Sequence, residues 1–136
     1  MNMKKSRGYR NCNPGNIRKS KDKWVGLRPA QEDAEFFQFK TMAHGYRAML
    51  MIIRNYRKKH GCKTIYDIIH RWAPVTENNT AAYVRAVCNR LQAPKECEID
   101  VYDRDSMCAL AGAISCVENG CEPNMEDIRK GWDMLC

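Results

Sequence analysis

A mainly α fold with a small β-rich lobe, an α+β arrangement in one domain, is what this chain of 136 residues predicts. Three observations lead there. Apolar residues recur at helical spacing from residue 41 onward. Short aromatic segments separated by Lys-, Pro- and acid-rich links occupy residues 13–40. No repeat or linker divides the chain, and its length suits a single hydrophobic core. The predicted organisation is one domain over 1–136: a basic arm (1–12), a β-lobe (13–40) and a helical body (41–136).

Taken in order, Asn13-Pro14-Gly15-Asn16 reads as a turn. Ile17–Lys19, Trp24–Leu27 and Phe36–Phe39 read as short extended pieces. Thr41 then caps a helix whose stripe is Tyr46, Met49, Leu50, Ile53 and Tyr56, ending at Gly61. Thr64 and Asp67 form a capping box for a short helix closed by Trp72-Ala73-Pro74. Asn79 or Thr80 opens a third helix to about Leu91, with Tyr83, Val84, Val87 and Leu91 as its apolar face. Asp103 or Asp105 opens a fourth, carrying Met107, Leu110, Ala111, Ile114 and Val117 and stopping at Asn119-Gly120. Asn124 with Asp127 caps a fifth, bearing Met125, Ile128, Trp132 and Leu135.

With 44% apolar and 29% charged residues, the chain is not a disordered polymer, a collagen-like repeat or a coiled coil. The longest apolar run, Ala48–Ile53, ends at Arg54, so no segment spans a bilayer. The basic start has no apolar stretch behind it, which predicts synthesis in a cytoplasm without a signal peptide. The net charge of +7 is concentrated early: residues 1–28 hold nine Lys or Arg against Asp22. Such a bias draws a chain to a polyanion, whether nucleic acid, an anionic cell wall or an acidic protein, or simply keeps it soluble. Eight cysteines show no C-x-x-C pair, and the three histidines lie at no zinc-finger spacing, so no metal or cofactor is expected. Free, mostly buried thiols are expected instead, with Cys121 and Cys136 able to pair outside a cell.

Chemistry points first to Glu118. It stands at the carboxyl end of an apolar, small-residue-rich helix, where the helix dipole and apolar surroundings both favour a protonated carboxyl. A general acid needs that. The alternative reading is a solvent-exposed Glu beside a C-cap turn. Glu32, Asp33 and Glu35 form a second acidic group in the lobe; glycoside hydrolysis needs two carboxyls across a cleft, or one acid and a group of the substrate. A polar loop balancing the basic arm is the alternative there. Aromatics near turns (Tyr9, Trp24, Trp72, Tyr83) suit sugar stacking or core filling. No nucleophilic triad and no phosphate-binding glycine loop is present.

The segment Arg7-Gly8-Tyr9-Arg10-Asn11-Cys12-Asn13-Pro14-Gly15-Asn16-Ile17-Arg18 resembles the RGxRNNNPGNIR opening of small phage and prophage proteins often labelled virion structural proteins, with Cys12 in place of an Asn. Trp24-x-Gly26, Gln31-x-Asp33-x-x-Phe36, Phe39 with Gly45-Tyr46-Arg47-Ala48, Arg71-Trp72-Ala73-Pro74, Glu77-Asn78-x-Thr80-x-x-Tyr83 and Val117-Glu118-Asn119-Gly120 extend the likeness over nearly the whole chain. A second likeness is to glucosaminidase and lytic transglycosylase domains. Asn13–Arg18, Trp24-x-Gly26, Phe36–Phe39 and Thr80-x-x-Tyr83 follow those enzymes' order, while their "ESG" helix end is similar to Cys116-Val117-Glu118-Asn119-Gly120 but comes last. This implies a lysozyme-like domain in circularly permuted order, which surface termini permit.

The resemblance implies a peptidoglycan-degrading glycosidase: a muramidase, glucosaminidase or lytic transglycosylase. Glu118 would be the general acid and Asp33 the second carboxylate, with Trp72, Asn78, Tyr83, Asn16 and Asn119 lining the sugar site. Its partners would be glycan strands and other virion proteins, and its place the virion or the cell wall. Two alternatives stand beside it: a non-catalytic virion structural or wall-binding protein, and a nucleic-acid-binding protein using residues 4–28.

Overall fold

The computed structural model describes residues 5–135. It is mainly helical. In chain order the helices are α1 (Arg7–Arg10), α2 (Met42–His60), α3 (Ile65–Trp72), α4 (Thr80–Leu91), α5 (Arg104–Asn119) and α6 (Met125–Asp133). The five longer ones are those that the apolar spacing predicts, and each begins at a side-chain cap. Thr41, Thr64, Asn79, Asp103 and Asn124 each accept a backbone N–H of the first turn, and Thr64 with Asp67 completes the reciprocal box. Gly61 and Gly120 end α2 and α5 in the left-handed conformation, at φ 63° and 68°.

The core is built on α2 and α5. Tyr46, Met49, Leu50 and Ile53 of α2 meet Met107, Leu110, Ala111 and Ile114 of α5, with Ile65, Ile68 and Ile69 of α3 and Val84 and Val87 of α4 closing the sides. Eight residues of α5 are buried, Met107 to Ser115 except Ala109, so the helix is enclosed on most sides, as its small residues allow. Its carboxyl end is brought to the surface of the core beside the amino-terminal segment.

That segment departs from expectation. Among the described residues, 13–40 contain no strand, only isolated antiparallel bridges between Arg18 and Phe36 and between Leu27 and Phe39. The predicted β-rich lobe is a loop-built layer, in which two short backbone pairings, 17–19 with 35–37 and 26–28 with 38–40, are joined by side-chain bonds instead of extending into a sheet. Buried Asn13 donates to the carbonyls of Ile17 (3.0 Å) and Phe37 (2.9 Å) and accepts from Ile17 N (2.9 Å). The Gln31 amide clamps the backbone of Gln38, donating to its carbonyl at 2.8 Å and accepting its N–H at 2.7 Å. A small apolar cluster of Phe37, Phe39 and Ala48, joined by Ile17, Trp24 and Leu27, seats the layer on α2.

The predicted basic arm over 1–12 is also revised. Residues 1–4 lie outside the described residues, while Ser6 caps α1 and α1 packs on α5. Two of its cations serve the fold, Arg7 pairing with Asp33 and Arg10 bonding Lys5 O; beyond the arm, Arg28 bonds the carbonyls of Phe39 and Arg10. Among the described cysteines all are free; Cys62 and Cys108 are buried and the other five half-buried, so burial is less general than expected. Cys136 lies outside the described residues, and with it the pairing to Cys121.

Candidate carboxylate cleft

Where the carboxyl end of α5 meets the amino-terminal segment, a cleft of about 390 Å³ opens. Its walls come from both regions: Gly15, Asn16, Ile17, Arg18 and Phe36 on one side, Ile52, Tyr56, Arg71, Trp72 and Asn78 on the other. Glu118 lines it from the last turn of α5, and Glu77 from the loop after α3.

Glu118 is held at both oxygens. Asn16 Nδ2 donates to one at 2.9 Å, and the Tyr83 hydroxyl donates to the other at 2.8 Å. Asn16 reaches it from a left-handed backbone, φ 49°, at the end of the turn that the composition predicts. The Asn16 Oδ1 atom is buried without a hydrogen-bond partner, an arrangement accepted so that the amide's N–H can face the carboxylate. Burial and the neighbouring Glu118 charge raise the Tyr83 phenol far above its usual pKa, so it remains a donor. One hydrogen bond from each region thus fixes the carboxylate, and its orientation depends on both being docked.

The other residues named from the sequence divide into two groups. Trp72 and Asn78 stand on the cleft wall; Trp72 is braced edge-on by Tyr56, with ring centroids 6.4 Å apart. Tyr83 is 7% exposed and sits behind Glu118 rather than on the wall. Asn119 is a fastener: its amide donates to Pro14 O (2.8 Å) and Ser115 O (2.9 Å), and its carbonyl accepts from Ser6 (2.6 Å). The close fit around it needs Gly8, where a Cβ would press on Asn119 Oδ1 and on Asn13 O.

Asp33 does not line the cleft. It accepts two bonds from Arg7 (2.7 and 2.8 Å), one from Asn11 (2.9 Å), and two from the backbone at Glu35 and Phe36. Arg7, with these amides, holds its carboxyl far below the usual carboxylate range. With its lone pairs committed to the segment's own backbone, it is an organiser of structure. The acidic residue that shares the cleft with Glu118 is Glu77, which the sequence offered only as part of a motif; Arg71 and Tyr56 were passed over in the same way. Their signal was position within the Arg71–Pro74 block and on the α2 stripe, neither of which says which way a side chain faces. Among the described residues no group of His, Cys, Asp and Glu could hold a metal ion.

The fold and the cleft define a small, mainly α protein with a buried helix presenting one carboxylate to a two-walled groove. No protein-family model matches the chain. It is 36% identical over 132 residues to Protein P5 of Pseudoalteromonas phage PM2, a match covering 94% of this chain and 81% of that protein. The chain belongs to the family of that phage protein. The likeness to phage proteins read from the Arg7–Arg18 opening is upheld at that level. No helix among the described residues is long and apolar enough to cross a membrane.

Proposed function

We propose that this chain is a phage-encoded enzyme that cleaves the glycan strands of peptidoglycan, with Glu118 as general acid, and that it acts from the virion or after release to the cell wall. The observation that carries the reading is Glu118 itself: a carboxylate on the end of a buried helix, fixed by Asn16 and Tyr83, in a groove walled by Trp72, Tyr56 and Asn78. Glycosidase sites combine such a positioned acid with aromatic faces and amides that take up sugar rings and their N-acetyl groups. The lysozyme-like, circularly permuted kinship belongs to the same proposal. It is supported by the order of the motifs and by the meeting of the Asn13–Arg18 turn, the Tyr83 helix and the Glu118 helix end at one point.

In the first step Glu118 protonates the glycosidic oxygen as the C1–O bond breaks, and positive charge develops at the sugar ring. Two routes then complete the reaction. In lytic transglycosylation the muramic 6-hydroxyl attacks C1 and returns its proton to Glu118, giving an anhydro product. In hydrolysis water attacks instead, and Glu77 is the acidic residue available to orient it. Because Asp33 is bonded to Arg7 and Asn11, it has no step here.

Glu118→Gln keeps the size and the hydrogen bond from Asn16 or Tyr83 but cannot deliver a proton. It should lower release of muropeptides from purified walls by about 100- to 10,000-fold. Mass spectrometry of wild-type products separates the two routes, since the anhydro product is lighter by one water. Equal release by wild type and variant removes Glu118 from the reaction. Absence of release by wild type on several wall chemistries overturns the enzyme reading in favour of a structural or wall-binding role.

A further inference from the structure

Arg71 belongs to a motif block that the proposed chemistry leaves unused. It sits on the rim of the cleft in the last turn of α3, next to Trp72. Its guanidinium lies 5.5 Å over the Tyr56 ring, and its Nη2 donates to His60 Nε2 at 3.0 Å. An arginine has no lone pair to offer, so the His60 nitrogen is the acceptor of this bond. Ring face and histidine together fix the plane of the fork and use one of its N–H groups. No acid lies within ion-pair distance of Arg71 among the described residues. The other arginine on the cleft, Arg18, is spent differently: it is paired with Glu35 at 3.4 Å and lies over Phe36.

A pre-oriented guanidinium with open N–H groups is a receptor for a planar anion. The same cleft holds Glu118 and Glu77, which would repel a continuous polyanion such as a phosphate-linked backbone. A neutral strand with a carboxylate set on alternate sugars avoids that repulsion and still satisfies Arg71. We propose that Arg71 is a specificity-determining residue that reads a carboxylate borne on the bound glycan, the stem-peptide carboxylate of a muramyl unit, and so separates wall glycan from neutral chitin-type strands of equal length.

This rests on the glycan-binding reading of the cleft but is read by binding rather than turnover. In a Glu118→Gln background, affinity is measured by tryptophan fluorescence for a muramyl tetrasaccharide carrying free stem carboxylates and for chitotetraose. The first should bind about 10- to 100-fold more tightly, as one charge-assisted pair provides. Adding Arg71→Gln should equalise the two affinities while leaving that for chitotetraose unchanged; Arg71→Lys, a charge without the fork, should recover part of the preference. Thermal melting of each variant guards against misfolding. An unchanged preference in Arg71→Gln overturns the inference, as do equal affinities in the parent or binding of neither glycan. Loss of turnover evidence for Glu118 with the preference intact would sink the glycosidase reading alone.

Discussion

Residues 5–40 and residues 41–135 are held together by different forces. The helical body is apolar packing: Leu50, Ile53, Ile69, Leu110 and Ile114 are fully buried, and each helix satisfies its own backbone. The amino-terminal segment has few large apolar side chains and only short backbone pairings, between 17–19 and 35–37 and between 26–28 and 38–40. Side chains of Asn13, Asp33, Arg28, Gln31 and Gln38 bond the main chain around these pairings, and Asn11 ties Asp33 to Gln38. Packing energy is spread over many contacts and degrades gradually, whereas a polar network loses several bonds with one side chain. The segment should therefore be the more brittle region and the body the more stable one.

Four substitutions sharpen that contrast. Leu110→Ala empties a fully buried volume in the body and should cost about 3 to 4 kcal/mol of global stability, read as a lower denaturant midpoint in far-UV circular dichroism. Asn13→Ala strands Phe37 O and Ile17 N, while Ile17 O keeps the N–H of Phe37, and about 2 to 3 kcal/mol should be lost. Here hydrogen exchange should rise across residues 11–40 while the body amides stay protected. A uniform rise over all helices would show that the two regions unfold as one. Gly45→Ala tests their seam: a Cβ there meets Cys12 O and Pro14 Cδ, so about 1 to 3 kcal/mol of strain should loosen the segment from α2. The smallest effect concerns pH. Because Asp33 has a folded pKa held below its unfolded value near 3.9, its contribution is complete above about pH 4 and fades as pH falls further. Asp33→Asn should lower the melting temperature at neutral pH and flatten its fall in acid; an unaltered acid slope would move that stability to other carboxylates.

The same contrast explains what could be read from the sequence. The five long helices were legible with their caps, because helical spacing and Ser/Thr/Asn/Asp starts are local signals. The segment was legible as aromatic and polar, but its backbone pairings switch partner after one or two residues, from Ile17 to Asn11 and Arg28, and such switching leaves no period in the sequence. So Phe36–Phe39 read as a strand. Glu118 stood out because a helix end is recognisable, and the docking of the 13–40 segment against it is seen in the bonds from Asn16 and to Pro14 O. Asp33, by contrast, was chosen for its charge and place in the lobe. Its commitment to Arg7 depends on a contact 26 residues away, which no spacing rule encodes. Arg71 reaches the cleft from the last turn of α3, and Glu77 from the turn that follows, which the Thr80 hydroxyl ties back to Ala73 O.

Asn16 and Glu118 are 102 positions apart, and Ser6 and Asn119 are 113 apart. During synthesis the turn that orients the carboxylate leaves the ribosome roughly a hundred residues before the carboxylate exists. At typical elongation rates of about 5 to 20 residues per second, that is an interval of several seconds. Until then the segment lacks the surface of α5, and closing so long a loop costs roughly 1 kcal/mol more than closing one a quarter to a fifth as long. The cleft is consequently among the last features to form. Whatever its chemistry, a nascent or truncated chain carries none of it, and the host in which it is made meets the finished groove only after the helix bearing Glu118 has been seated.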